Sequence, residues 1–181
     1  MRELTITISL WFVIIITVLC WKMPTVEVEE PSPVVEAVEV VIPESEPEVT
    51  PQPWTDEEVI VLAKMLWGEA RGVSSDTEKV ACVWCVLNRV DHGYGDIITV
   101  VTAPKQFVGY REGNPADGDL ITLCIDVLSR WYAEKDGQAE VGRVLPTDYL
   151  WFSGDGERNH FRNAYRGGNR WDWSLPSPYE S

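Results

Sequence analysis

At 181 residues, with 45% hydrophobic and 24% charged positions, the chain is sized for one folded domain and little more. Its 29 Asp+Glu against 15 Lys+Arg give a formal net charge of -14, so phosphate backbones would repel it and nucleic acid is not an expected partner. Four cysteines are too few for a disulfide-dense scaffold.

Composition changes sharply along the chain. Leu4 to Trp21 form an eighteen-residue run without a charge. As a helix it would span about 27 Å, close to the hydrocarbon thickness of a bilayer. Trp21 and Lys22 sit where interfacial anchors belong. Met23, Pro24 and Thr25 follow, with no small-x-small cleavage site. Residues 1–23 are therefore read as an uncleaved, single-pass membrane anchor, with secretion after signal cleavage as the alternative. Arg2 favours the N-terminus inside, so the rest of the chain is expected outside.

Residues 24–53 hold seven Pro, eight Glu and eight Val, with no Lys or Arg. Repeated proline blocks helix and sheet pairing, and like charges repel, so this segment is expected to be a disordered, extended tether. Residues 54–181 form the expected domain, with 20 acidic and 13 basic side chains. Its 128 residues suffice to bury a core.

Within the domain, Thr55 with Glu58 reads as a capping box opening a helix that ends near Gly68 and Gly72 and carries Glu69 in its last turn. Ser75 with Glu78 reads as a second capping box. From Val80 to Leu87 every residue is apolar or Cys, so the helix that follows should be central, with Asn88 and Arg89 emerging at its end. The stretch from His92 to Asp96 reads as a loop, Ile97 to Thr102 is ambiguous, and Pro104 to Phe107 turns again. A third helix is expected within Ala116 to Gly137, apolar at Leu120, Leu123, Cys124, Val127 and Trp131. After Gly137 the chain turns Gly-, Asn- and aromatic-rich, which suits short strands. The expected class is α+β, mostly helical with a small β element.

Three constellations bear on chemistry. Cys82-x-x-Cys85 with Cys124, His92 and His160 has zinc-ligand residue types, but both Cys of the pair fall in an apolar helix, where Cys packs as a small hydrophobe. No metal or other cofactor is expected. Nucleophilic catalysis by Cys or Ser with His is equally poorly placed, because a thiolate needs an electropositive, accessible site. The third is Glu69 in Trp67-Gly68-Glu69-Ala70-Arg71-Gly72. A carboxylic acid held against apolar walls resists ionising and can protonate a glycosidic oxygen. The competing readings are a solvated Glu at a helix end, or one paired with Arg71.

This stretch resembles the SleB/CwlJ-type cell-wall hydrolases, the spore-cortex-lytic enzyme family. The resemblance rests on Gly68-Glu69-Ala70-Arg71-Gly72, on Leu87-Asn88-Arg89-Val90 at the family's spacing, on Gln106-Phe107, and on Tyr149-Leu150-Trp151-Phe152. It covers roughly residues 56–163. Val73 stands where the family has a second acidic residue, and the ending from Asn159 to Trp173 has no obvious counterpart in the spore enzymes. The resemblance implies a lysozyme-like, lytic-transglycosylase-like domain that cuts peptidoglycan glycan strands between N-acetylmuramic acid and N-acetylglucosamine. Glu69 is the implied general acid/base. Gln106, Phe107, Tyr149, Trp151, Asn159 and Phe161 are candidates for lining a glycan cleft, although aromatic side chains mostly serve packing. An anchored domain facing the cell wall fits this reading. Its alternatives are a muramidase, with Asp91, Asp96 or Asp155 as second carboxylate, a muramoyl-alanine amidase, and an inactive peptidoglycan-binding module.

Overall fold

The computed structural model describes residues 51–180, so the expected anchor and nearly all of the expected tether lie outside the described residues. Among the described residues no helix is long and apolar enough to cross a membrane.

The domain is α+β, mostly helical with one two-stranded sheet. Helix α1 (Asp56–Ala70) starts at the expected N-cap. Thr55 Oγ1 accepts from the Glu58 amide at 3.2 Å, and Glu58 returns the bond by accepting from the Thr55 amide at 2.8 Å. Helix α2 (Asp76–Asp91) starts at Ser75, whose hydroxyl accepts from the Glu78 amide at 3.2 Å. Here the expected capping box is only half formed. The Glu78 carboxylate instead accepts from the Asn159 amide, on the far side of the sequence.

α2 is the central helix. Every side chain from Val80 to Leu87 is fully buried, and α1, α3 and α4 all pack on it. Each large apolar side chain taken from water there contributes about 1.5–3 kcal/mol, so this helix dominates the core. The ambiguous stretch becomes a short helix, α3 (Ile97–Thr102). Asp96 caps it, accepting from the Thr99 amide at 2.7 Å, and Ile97, Val100 and Val101 turn inward. Helix α4 (Gly118–Lys135) buries Leu120, Cys124, Val127, Leu128 and Trp131 against α1 and α2.

The strands are β1 (Trp151–Gly154) and β2 (Asn159–Arg162), paired antiparallel with Trp151 opposite Arg162 and Gly154 opposite Asn159. Side chains alternate across a strand. Phe152, Gly154, Asn159 and Phe161 therefore share the inner face, while Trp151, Ser153, His160 and Arg162 share the outer one. The chain end returns to the helices. The Ser177 and Thr77 hydroxyls pair at 2.5 Å, and the Tyr179 hydroxyl donates to Asp126.

One expectation fails outright. Asn88 and Arg89 do not emerge into solvent but are buried, because both are used to bind loops onto the core. Asn88 Nδ2 donates to the carbonyls of Pro146 (2.8 Å) and Tyr149 (3.0 Å), and its Oδ1 accepts from Arg143 at 2.6 Å. Arg89 Nε donates to the Leu150 carbonyl at 2.6 Å and its Nη1 to Gln106 at 2.9 Å. Buried polar groups are tolerable only when so satisfied.

Candidate active site

The last turn of α1 carries Glu69, and a loop of the chain is pressed onto that turn. Gly109 lies against Gly68 so closely that a Cβ added to either residue would overlap the other's carbonyl oxygen. Only paired glycines permit such an approach. Asn114 straps the loop down, donating from Nδ2 to the Lys64 carbonyl at 3.0 Å and to the Gly109 carbonyl at 2.9 Å. The contact places the Gly109 amide 2.6 Å from Glu69 Oε1, to which it donates. Glu69 is half-buried, with one carboxylate oxygen held by backbone.

Arg71 is not its partner. The guanidinium lies 4.4 Å above the Trp67 ring and donates to the Trp67 carbonyl at 3.3 Å. It thereby satisfies a helix-end acceptor, as basic side chains near C-termini often do. Among the described residues Glu69 takes part in no ion pair. The competing reading of a Glu69–Arg71 pair is thus not what this geometry provides.

Asn159 connects this helix end to α2. Its Nδ2 reaches the Glu69 carbonyl at 3.4 Å and Cys82 Sγ at 3.6 Å, while its amide donates to Glu78. Sequence reasoning passed over Glu78 as a capping residue. The signal was available: Cys82 is four residues on and lies inside the apolar run, so Glu78 shares its buried face. Glu78 is only 7% exposed, and it lines a recess with Val73, Ser74, Thr77, Arg158 and Trp173. Glu69 itself lines none of the three described recesses.

The three carboxylates considered as partners for Glu69 are committed elsewhere. Asp91 accepts from Trp131 Nε1 at 2.9 Å and from Lys135 at 2.6 Å. Asp96 caps α3. Asp155 accepts from the amides of Glu157 (3.0 Å) and Arg158 (2.8 Å) and from His160 (2.7 Å), which together hold its carboxyl well below the usual range.

The cleft candidates separate into distinct places. Of these, Asn159 hydrogen-bonds to Glu69, at its main-chain carbonyl. Phe107 packs on Phe152 at 5.9 Å and lies beneath the Arg89 guanidinium, and Gln106 is bound to that same guanidinium. Tyr149 packs edge-on to Trp171 at 5.4 Å. Phe161 is 1% exposed, so its ring has no face left for a sugar. Phe107 and Tyr149 are likewise buried, their rings spent on packing. Trp151 stays partly exposed, but on the outer face of the hairpin, opposite the face that meets Glu69.

No protein-family profile, no curated protein and no solved structure matches the chain. Its chemistry has to be read from the side chains themselves. Cys82, Cys85 and Cys124 are free, fully buried thiols. Burial pushes all three upward, Cys85 to about 12 against the opposing pull of Arg89, so none is poised as a thiolate. Among the described residues no cluster of His, Cys, Asp or Glu has metal-binding geometry.

The paired Asn88 and Arg89 position the site at one remove, because they fix the loops that lead to Gly109 and to β1. Asn88→Ala should strip partners from two carbonyls and from Arg143, lowering stability by about 2 kcal/mol or more. Denaturant unfolding measures this. A loss below about 0.5 kcal/mol would mean that water replaces the amide and that the loops are not held by it.

Proposed function

We propose that the domain cleaves peptidoglycan glycan strands as a lysozyme-like lytic transglycosylase, with Glu69 as its single general acid/base. The observation that carries this reading is the Gly109 amide on Glu69 Oε1, which fixes a half-buried carboxyl without neutralising it by a cation. The resemblance of Gly68 to Gly72 and of Leu87 to Val90 to the SleB/CwlJ-type enzymes supports the same residue.

In this reading Glu69, in its acid form, protonates the leaving glycosidic oxygen as an oxocarbenium-like centre develops at C1 of the muramic acid. The resulting carboxylate then takes the proton of the same sugar's 6-hydroxyl, whose oxygen closes on C1 to give a 1,6-anhydro ring. One residue serves twice, and the proton count closes without an added water. A muramidase would instead need a positioned water, commonly with a second carboxylate. The commitments of Asp91, Asp96 and Asp155 favour the transglycosylase outcome. An amidase reading lacks support in the residue set, since zinc amidases draw on several His and this chain has two. The charge-free run and the acidic, proline-rich segment ahead of the domain are compatible with a single-pass anchor and a tether reaching the wall.

Mass spectrometry of the products from purified peptidoglycan tests the proposal. Anhydro-muropeptides are the expected outcome. Reducing muramic-acid ends would replace it with a hydrolase, free stem peptides with an amidase, and unchanged substrate with a binding module.

A further inference from the structure

The outer face of the hairpin carries a second feature that cleavage at Glu69 does not use. Between Arg158 and Arg170 the sequence places four arginines, the other two being Arg162 and Arg166, and no acidic residue. In a chain of net charge -14 this is a local reversal of sign. The fold then sharpens it. Arg170 forms an antiparallel bridge with Arg162, so two guanidinium side chains stand as direct cross-strand neighbours. Like charges in that position repel. Among the described residues none of the four arginines has a carboxylate within ion-pair distance. Of the two acids in the hairpin turn, Asp155 is occupied by the turn itself and by His160, and Glu157 lines the separate recess that Arg158 shares with Glu78 and Glu180. His160 Nδ1 in turn receives Arg170 Nη2, so this ring is an acceptor there and brings no negative charge.

Of the four, Arg162 lines a groove of about 460 Å³, together with Trp151, Phe152, Ser153, His160, Tyr165 and Gly167, while Arg170 meets it only through His160. Tyr165 is 71% exposed, with the Arg166 guanidinium 5.7 Å from its ring. Exposed aromatic faces receive sugar rings, and a guanidinium without a carboxylate partner receives one.

We propose that this face is a binding site for a carboxylate-bearing saccharide, with the sugar ring against Trp151 and Tyr165 and the acid on Arg162. The charge pattern selects an anion, and the aromatic walls select a ring over a bare ion. The inference rests on residues separate from Glu69 and stands or falls apart from the cleavage reaction.

The test is calorimetric titration of the full chain, in its Glu69→Gln form, with N-acetylmuramic acid, N-acetylglucosamine and lactate. The first carries ring and carboxylate, the others one each. N-acetylmuramic acid should bind at least tenfold tighter than either fragment. Arg162→Gln should weaken it by about tenfold or more, the usual loss for a charge-assisted bond, and Tyr165→Ala by several-fold. The Arg162→Gln variant should keep or raise its thermal midpoint, since it relieves a repulsion. Equal binding of N-acetylmuramic acid and N-acetylglucosamine would overturn the proposal, as would equal binding of lactate, no binding at all, or full affinity in Arg162→Gln. Absence of turnover in wild-type protein, with saccharide binding present, would remove the cleavage reading and leave this site intact.

Discussion

Glu69→Gln is expected to reduce release of muropeptides from purified peptidoglycan by about 10²–10⁴-fold or more, the range that general acid/base catalysis alone supplies. The fold should be unaffected, for a specific reason. Among the described residues the one side-chain bond at Glu69 is the Gly109 amide donating to Oε1, and a glutamine presents an amide oxygen at the same place. Gln accepts that bond but cannot deliver a proton and take one back. Thermal midpoint and turnover should therefore separate, the first unchanged and the second lost. A purely structural Glu69 predicts a different pair of results, with turnover near wild type. Retained turnover would leave the resemblance to cell-wall hydrolases describing an architecture without its chemistry. Glu69→Ala is less informative, because it also removes the acceptor that holds the Gly109 loop.

The helices were legible because their signals are local. Thr55 and Ser75 cap the first two, and the unbroken apolar stretch from Val80 to Leu87 could only be a buried helix. What escaped the sequence depends on partners far away in the chain. The spacing of Glu78 to Cys82 marks its burial, but nothing local announces which group claims its carboxylate, the Asn159 amide 81 residues later. Asn88 and Arg89 look like the polar end of a helix. Only the path of the 146–150 segment over them turns that end into an interior clamp. The aromatic candidates failed in the same direction. Phe107, Tyr149 and Phe161 have the residue types of a sugar platform, but the hairpin register decides which rings face the core, and register cannot be read from four-residue strands. Gly68 shows the limit most plainly. As the sequence suggests, α1 ends between Gly68 and Gly72, at Ala70, but a glycine there reads only as a helix-end signal. Its role is to let another backbone touch the helix.

That close approach yields the second large effect. Gly109→Ala should destabilise the domain by about 3 kcal/mol and lower the thermal midpoint by roughly 10 °C, as expected for forced overpacking between rigid groups. The new Cβ would overlap the Gly68 carbonyl and crowd the Glu69 amide, both of them backbone atoms of α1, so no side-chain rotation relieves it. Either the helix end or the loop must move. Movement of the loop lengthens the bond from the Gly109 amide to Glu69 Oε1, now 2.6 Å, and releases the carboxyl from its fixed orientation. Turnover should then fall further than the remaining folded fraction explains, because misplacement of a catalytic group by about 1 Å costs on the order of 10²-fold. Gly72→Ala is the matched control. Its Cβ would meet only the Gly156 carbonyl, at 4.0 Å, an ordinary contact, so both midpoint and turnover should remain close to wild type. If Gly109→Ala were as stable and as active as Gly72→Ala, the packing of the loop on α1 would not be what holds Glu69 in place.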